Sequence, residues 1–237
     1  MCKLMQRTTI LLTGALFLLT SACTTIKPVY ETPEQSFGTQ IEVGEKENTM
    51  FRLVTAATIL ALSTAASADT PSYNYATLGW QKVSLDDGPF DVDGDGLGIG
   101  GSFEVADNWH VVGGYSSIGF DFGIDLNSLS IGAGYHTAIS DTTSAYANVL
   151  WVNSEVEVSG GPSFDDDGFG LGIGLRSNIT DRVELEGGLS YLDYGDGSGM
   201  AASAAGWYKF TDAFSLGVTL AAEEDVVGFG VGGRLYF

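Results

Sequence analysis

The sequence predicts an all-β chain that folds as an up-and-down antiparallel transmembrane β-barrel behind a leader. Three observations predict it. First, alternating runs of roughly ten residues recur after Asp69, and none offers a sustained helical period. Second, the connections between these runs alternate between short and long. Third, the chain finishes on a strand with one greasy face. Phe237, Leu235, Val231, Phe229 and Val227 share one parity, interrupted only by Gly233. Arg234, Gly232, Gly230 and Gly228 share the other with Tyr236. A soluble protein would hide that greasy face in a core, whereas a membrane barrel presents it to lipid.

The N-terminal part reads as leader. Met50-Phe51-Arg52 gives a short basic start, Leu53 to Leu62 is largely apolar, and Ala66-Ser67-Ala68 forms a small-x-small cleavage site before Asp69. These are the three parts of a secretory signal, and the apolar run is shorter than the roughly 20 residues a spanning helix needs. A second leader precedes it. Lys3 and Arg7 are followed by an apolar run, Ile10 to Leu19, and by Thr20-Ser21-Ala22-Cys23. That ending resembles a lipoprotein signal, which would make Cys23 a lipid acceptor. The division expected is therefore 1–49 as an upstream segment with a misassigned start, 50–68 as signal peptide and 69–237 as barrel. The rival is a lipid-anchored N-terminus carrying an uncleaved apolar stretch. Both cysteines, Cys2 and Cys23, precede the barrel, which leaves the exported body without disulfide chemistry.

The short connections share one form: Ala106-Asp107-Asn108, Ser140-Asp141-Thr142, Thr180-Asp181-Arg182 and Thr211-Asp212-Ala213. An Asp carboxylate accepts from nearby backbone N–H groups and so supports tight turns. The long connections, around 86–96, 120–126, 158–168, 193–199 and 223–225, are rich in Gly and Asp. The strands expected are 73–85, 97–106, 109–119, 127–139, 144–157, 169–179, 183–192, 200–210, 213–222 and 226–237. Four short turns and five long loops require ten strands, with both termini on the short-turn side. Eight strands is the alternative, if one long hairpin has been split.

The faces follow from parity. Leu97, Ile99, Phe103 and Val105 oppose Gly98, Gly100, Ser102 and Glu104; Phe169, Leu171, Ile173 and Leu175 oppose Gly170, Gly172, Gly174 and Arg176. Strands near 73–85 and 144–157 alternate too poorly for their faces to be assigned. Trp109, Tyr208, Phe210, Phe214 and Phe237 cluster near the short-turn ends, as an interfacial aromatic girdle would. Residues 69–237 thus resemble the small bacterial outer-membrane barrels of the OmpA and OmpX-like families, in strand pattern and terminal signal. Gly232, Leu235 and Phe237 resemble the C-terminal signal by which such barrels are recognised for assembly. The resemblance implies the outer membrane as location, with its lipid and the barrel assembly machinery as partners.

The barrel carries 25 of the 30 acidic residues but five of the ten basic ones, so its net charge of −20 makes nucleic acid an improbable partner. Asp91-Val92-Asp93-Gly94-Asp95 begins like a calcium loop, but the twelfth position is Ser102 where an EF-hand needs a bidentate Glu. Asp91, Asp93 and Asp95 are candidates for weak calcium or magnesium binding, the plainer reading being a solvated hairpin tip. No other cofactor is expected.

A second group is placed inside by parity: Glu104, His136, Arg176, Glu184, Glu186 and Arg234, with Lys209 beside them. All lie near the short-turn end, where unpaired charge in a narrow lumen is costly. An ionic plug beneath a roomier outer vestibule is the expectation. The two histidines, His110 and His136, lie too near the periplasm to meet an external substrate, so no enzyme is expected. Gly96-Leu97-Gly98-Ile99-Gly100-Gly101 matches a dinucleotide fingerprint only formally, because no helix follows. The function expected is a monomeric, non-enzymatic barrel with acidic surface loops and a structural, adhesive or surface-interaction role, for an external ligand the sequence does not identify. The alternative is a narrow channel or small-solute porin gated by the lumenal charges.

Overall fold

A computed structural model of the chain describes residues 69–237 apart from 88–89, 122, 196 and 224–225, with the side chains of 86–91 also left out. The leader segments 1–49 and 50–68, and Cys23 with them, lie outside the described residues. Ten strands follow: β1 (Tyr75–Asp87), β2 (Phe90–Ala106), β3 (Trp109–Phe120), β4 (Ile124–Ala138), β5 (Thr143–Val158), β6 (Ser163–Thr180), β7 (Val183–Asp193), β8 (Ser198–Thr211), β9 (Phe214–Glu223) and β10 (Val226–Tyr236). Each pairs antiparallel with its neighbours in sequence, and β1 closes on β10. Closure leaves no sheet edge, which is what a strand needs if it is to cross lipid with its backbone satisfied.

The tight turns fall where Asp was expected to make them. Asn108 adopts a left-handed conformation with φ 67°, which Asn tolerates better than most residues. The same turn braces the next hairpin: the Asn108 side-chain amide donates to the His136 carbonyl, and the His136 N–H donates to the Asn108 carbonyl, both at 2.8 Å.

Two expected long loops are largely strand. Asp93 pairs with Ser84 and Asp95 with Lys82, so β1 and β2 run on through most of 86–96. Likewise Asp165 pairs with Glu155 and Phe164 with Val156. Gly and Asp favour turns, but strand pairing carried up from the barrel overrides that preference. Tyr73, expected in the first strand, lies outside it.

Facing outward, Leu97, Ile99, Ile131, Val149, Ile173, Val218, Val231 and Leu235 form an exposed apolar belt. Below it the aromatic girdle is in place: Trp109 meets Tyr135 edge-on, Tyr208 meets Phe210, and Phe103 stacks with Phe237. Above it the outward positions turn polar, as in β5 from Val149 and Trp151 to Asn153, Glu155 and Glu157. The upper strand ends therefore project beyond the apolar belt on the acidic side.

Candidate functional site

Four charges on three strands build the floor of the lumen. Arg176 on β6 stands opposite Glu186 on β7, and Arg234 on β10 reaches both β7 carboxylates across the barrel. Arg176 donates from Nε and Nη2 to Glu184 Oε1 at 2.9 and 2.6 Å, and Arg234 Nη1 donates to the same oxygen at 2.8 Å. The Tyr236 hydroxyl donates to Glu184 Oε2 at 3.1 Å. Arg234 Nη2 donates to Glu186 Oε2 at 3.1 Å, and Arg176 Nε stands 3.9 Å from that oxygen. Two cations thus balance two anions, although Glu184 is wholly buried and Arg176 is 1% exposed. Charge buried this deeply is tolerated when it is paired, and among the described residues of this network one buried donor, Arg234 Nε, has no hydrogen-bond partner.

Aromatic rings complete the setting. The Arg234 guanidinium lies over Tyr75 at 4.2 Å and Trp207 at 4.1 Å; that of Arg176 lies over Tyr73 at 4.7 Å and Tyr75 at 4.9 Å. Cations over ring faces gain most where water is excluded. Lys209 sits beside the floor, donating to Asn178 Oδ1 at 3.0 Å with its ammonium 5.4 Å from the Tyr236 ring.

Glu104 and His136 belong to a separate chain of contacts. His136 Nε2 is 3.0 Å from Glu104 Oε1, the two Nδ1 atoms of His136 and His110 are 3.1 Å apart, and His110 Nε2 is 2.9 Å from Asn148 Oδ1. The residues just before β1 cover this chain. Tyr73 stacks on the His136 ring at 3.8 Å, its hydroxyl pairs with Ser144, and the Asn74 side-chain amide donates to Glu104 Oε2. Arg176 Nη1 donates to the Ser72 carbonyl, and Asn178 Nδ2 donates to the Asp69 carbonyl. The segment is therefore tied inside the mouth of the barrel, linking the two charge clusters. A cavity of about 10 Å³ remains among Tyr73, Tyr75, His110, Tyr146, Arg176 and Glu186. That is room for about one water.

The upper lumen corrects the expectation of an open vestibule. Val83, Leu85, Ile118, Phe120, Leu126, Val156 and Val226 form one buried apolar cluster there. A second joins Val112, Leu150, Val152, Leu192 and Tyr194. The reason lies in β1 and β5, whose faces could not be read. Val83, Leu85, Leu150, Val152 and Val156 point inward, so those strands are apolar on both sides.

The acidic run is also arranged differently. Asp93 and Asp95 lie within β2, not in a loop; Asp93 accepts from Lys82 Nζ at 2.7 Å and Ser84 at 2.6 Å, and Asp95 accepts from the Trp80 indole at 3.1 Å. Asp91 pairs with Asp86 through the backbone. Among the described residues no group of three His, Cys, Asp or Glu is arranged to hold a metal. Leu235 and Phe237 of the terminal signal face outward and are exposed, whereas Gly232 faces β1.

Sequence reasoning missed Tyr73, Tyr75, Trp207 and Asn148. The parity of Trp207, next to outward Tyr208, was the one signal that could have found any of them. Tyr75 and Asn148 turn inward from β1 and β5, strands whose faces give no contrast, and Tyr73 is carried in by the segment 69–74.

A filled lumen, an apolar outer belt and an aromatic girdle define an outer-membrane β-barrel. The chain belongs to the outer membrane protein beta-barrel domain family, which matches residues 53–221, and its place is the bacterial outer membrane. No curated protein matches it. Among solved structures it is similar to Neisserial surface protein A (15% identity, TM-score 0.39, covering 70% of this chain and 98% of that one). It is similar also to the N-terminal barrel of Pseudomonas aeruginosa OprF (14%, 0.40, 70% and 100%). A third is the attachment invasion locus protein Ail of Yersinia pestis (16%, 0.37, 70% and 100%).

Proposed function

We propose that this is a closed, non-enzymatic barrel whose role is structural or interactive, carried by the acidic strand ends it raises above the membrane. The observation behind this reading is the occupied lumen. The Arg176–Glu184–Arg234–Glu186 network fills the bottom, and the Ile118–Phe120–Leu126–Val156 cluster fills the top. Each obstructs a solute by a different physical means. Ions would have to break a balanced charge network at one level and cross a dry apolar layer at the other.

The partners proposed are outer-membrane lipid along the apolar belt and the assembly machinery through Gly232, Leu235 and Phe237. The barrel acts as a monomer. Its upper outward face carries Glu155, Glu157, Asp165 and Asp167, a negative field that attracts cations and cationic surfaces and repels nucleic acid. Weak calcium or magnesium association with that field, including Asp91, Asp93 and Asp95, belongs to the same reading. Planar-bilayer recording tests the reading. The native protein stays silent, and Glu186→Gln or Arg234→Gln leaves it silent while lowering thermal stability. Steady conductance steps that change with either substitution would instead establish the narrow channel.

A further inference from the structure

The chain Glu104–His136–His110–Asn148 contains a proton-counting problem. Each Nε2 faces an oxygen: His136 faces the Glu104 carboxylate at 3.0 Å and His110 faces Asn148 Oδ1 at 2.9 Å. Oxygen acceptors hold a hydrogen on each Nε2. A neutral imidazole has only one N–H, so both Nδ1 atoms would then be bare lone pairs. Yet those atoms meet at 3.1 Å, and the 5.3 Å between ring centroids fits rings meeting head-on through Nδ1. Two bare acceptors do not approach in this way. One proton between them turns the contact into an N–H···N hydrogen bond and makes the pair a single shared cation beside the Glu104 carboxylate.

That cation lies under the segment that enters the mouth. Tyr73, 3% exposed, stacks on His136 at 3.8 Å with only 7° between the planes, and Asn74 donates to the carboxylate that His136 faces. We infer that Glu104, His136, His110 and Asn148 form a single-proton site that locks the segment Pro71 to Asn74 into the periplasmic mouth of the barrel. The proton comes from solvent and its uptake breaks no covalent bond. With it bound, every contact in the chain is satisfied and the Tyr73 ring rests on an imidazolium, gaining a cation–π contribution. Without it, the head-on contact survives only if the Asn148 amide turns to donate to His110, and Tyr73 then rests on a neutral ring.

The charged surroundings are consistent with one proton and not two. Glu104 favours the cation, while Arg176, whose guanidinium lies 4.7 Å from the centre of the Tyr73 ring, opposes a second charge. Glu186 and the hydroxyls of Tyr73, Tyr75 and Tyr146 are the other titratable groups around the site. The sign follows from linkage. On this reading the locked segment holds the proton more tightly than the free one, so locking weakens as pH rises through the site's midpoint.

The test is direct because the chain has two histidines. Nitrogen NMR on histidine-labelled full-length protein in lipid nanodiscs should show one shared proton, with both rings changing at a common midpoint. Asn148→Asp, which puts a carboxylate at the second end, should raise that midpoint by roughly one pH unit, and Glu104→Gln should lower it by a similar amount. Protection of the Ser72, Tyr73 and Asn74 amides, corrected for intrinsic exchange, should fall at the same midpoint and move with it in both variants. Two rings titrating independently, or segment protection that stays flat across the midpoint, would overturn the inference. Should Asn148→Asp fail to fold, Glu104→Gln decides alone.

Discussion

Arg234 Nη1 and Glu184 Oε1 lie 2.8 Å apart although the residues are 50 positions apart in the chain. The contact crosses the lumen, tying the last strand to β7 through side chains when their backbones never pair. Arg176 reaches the same oxygen from β6, so one carboxylate atom joins three strands.

Glu184→Gln should therefore be the most damaging single change in the lumen. It leaves two buried guanidiniums with one carboxylate between them, a loss of about 3–5 kcal/mol for breaking a buried network from one side. The electrophoretic folded-to-unfolded shift on heating, or denaturant unfolding in detergent, measures it. Glu186→Gln should cost less, because Glu186 is 14% exposed and its contacts are longer.

The two arginines should be energetically coupled. Arg176 and Arg234 share an acceptor, so the stability losses of Arg176→Met and Arg234→Met should not add. The double-mutant interaction energy should lie in the range of about 0.5–3 kcal/mol. Additive losses would mean that Glu184 is not the shared partner.

The apolar layer at the top makes a separate prediction. Ile118 is fully buried, and Ile118→Ala should cost about 2–5 kcal/mol without creating conductance. Opening the top alone leaves the bottom charged and shut. Conductance should need Ile118→Ser and Phe120→Ser together with Glu186→Gln and Arg234→Gln, and the four-fold variant in a planar bilayer checks this.

High on the β1–β2 hairpin, above the apolar belt, the Lys82 ammonium, with the Ser84 hydroxyl beside it, holds the Asp93 carboxyl below the usual carboxylate range. A depressed carboxylate contributes above its unfolded pKa and loses that contribution as pH falls through its folded value. Protection of the 82–85 amides, corrected for intrinsic exchange, should thus hold from neutral to mildly acidic pH and fall only in stronger acid. Asp93→Asn should abolish the acid step while leaving the thermal midpoint unchanged, since the pair is exposed and screened.

Much of this was legible before any coordinates. The face carrying Ile99 or Ile173 and the inward parity of Arg176, Glu184 and Arg234 follow from a period of two, and the ten strands from four short turns alternating with five long loops. What could not be read has one cause in two places. Strands β1 and β5 bear apolar residues on both sides, so period two gives no contrast and the apolar upper lumen stays hidden. Asp93 and Gly94 favour turns locally, yet their pairing with Ser84 and Val83 is a property of the whole sheet. Tyr73 reaches His136 from the segment before β1, whose path across the mouth no local pattern encodes.

The seam between the first and last strands has a consequence of its own. Gly79 and Gly232 are paired across it, and a Cβ on either would press into opposing backbone, 2.9 Å from the Val231 carbonyl oxygen or 2.8 Å from that of Leu78. Bare backbone on both sides lets the two ends of the molecule come together without side chains having to mesh first. Closing can then be quick while reopening must tear a whole row of hydrogen bonds in lipid. The protein's endurance in the membrane is accordingly a matter of rate.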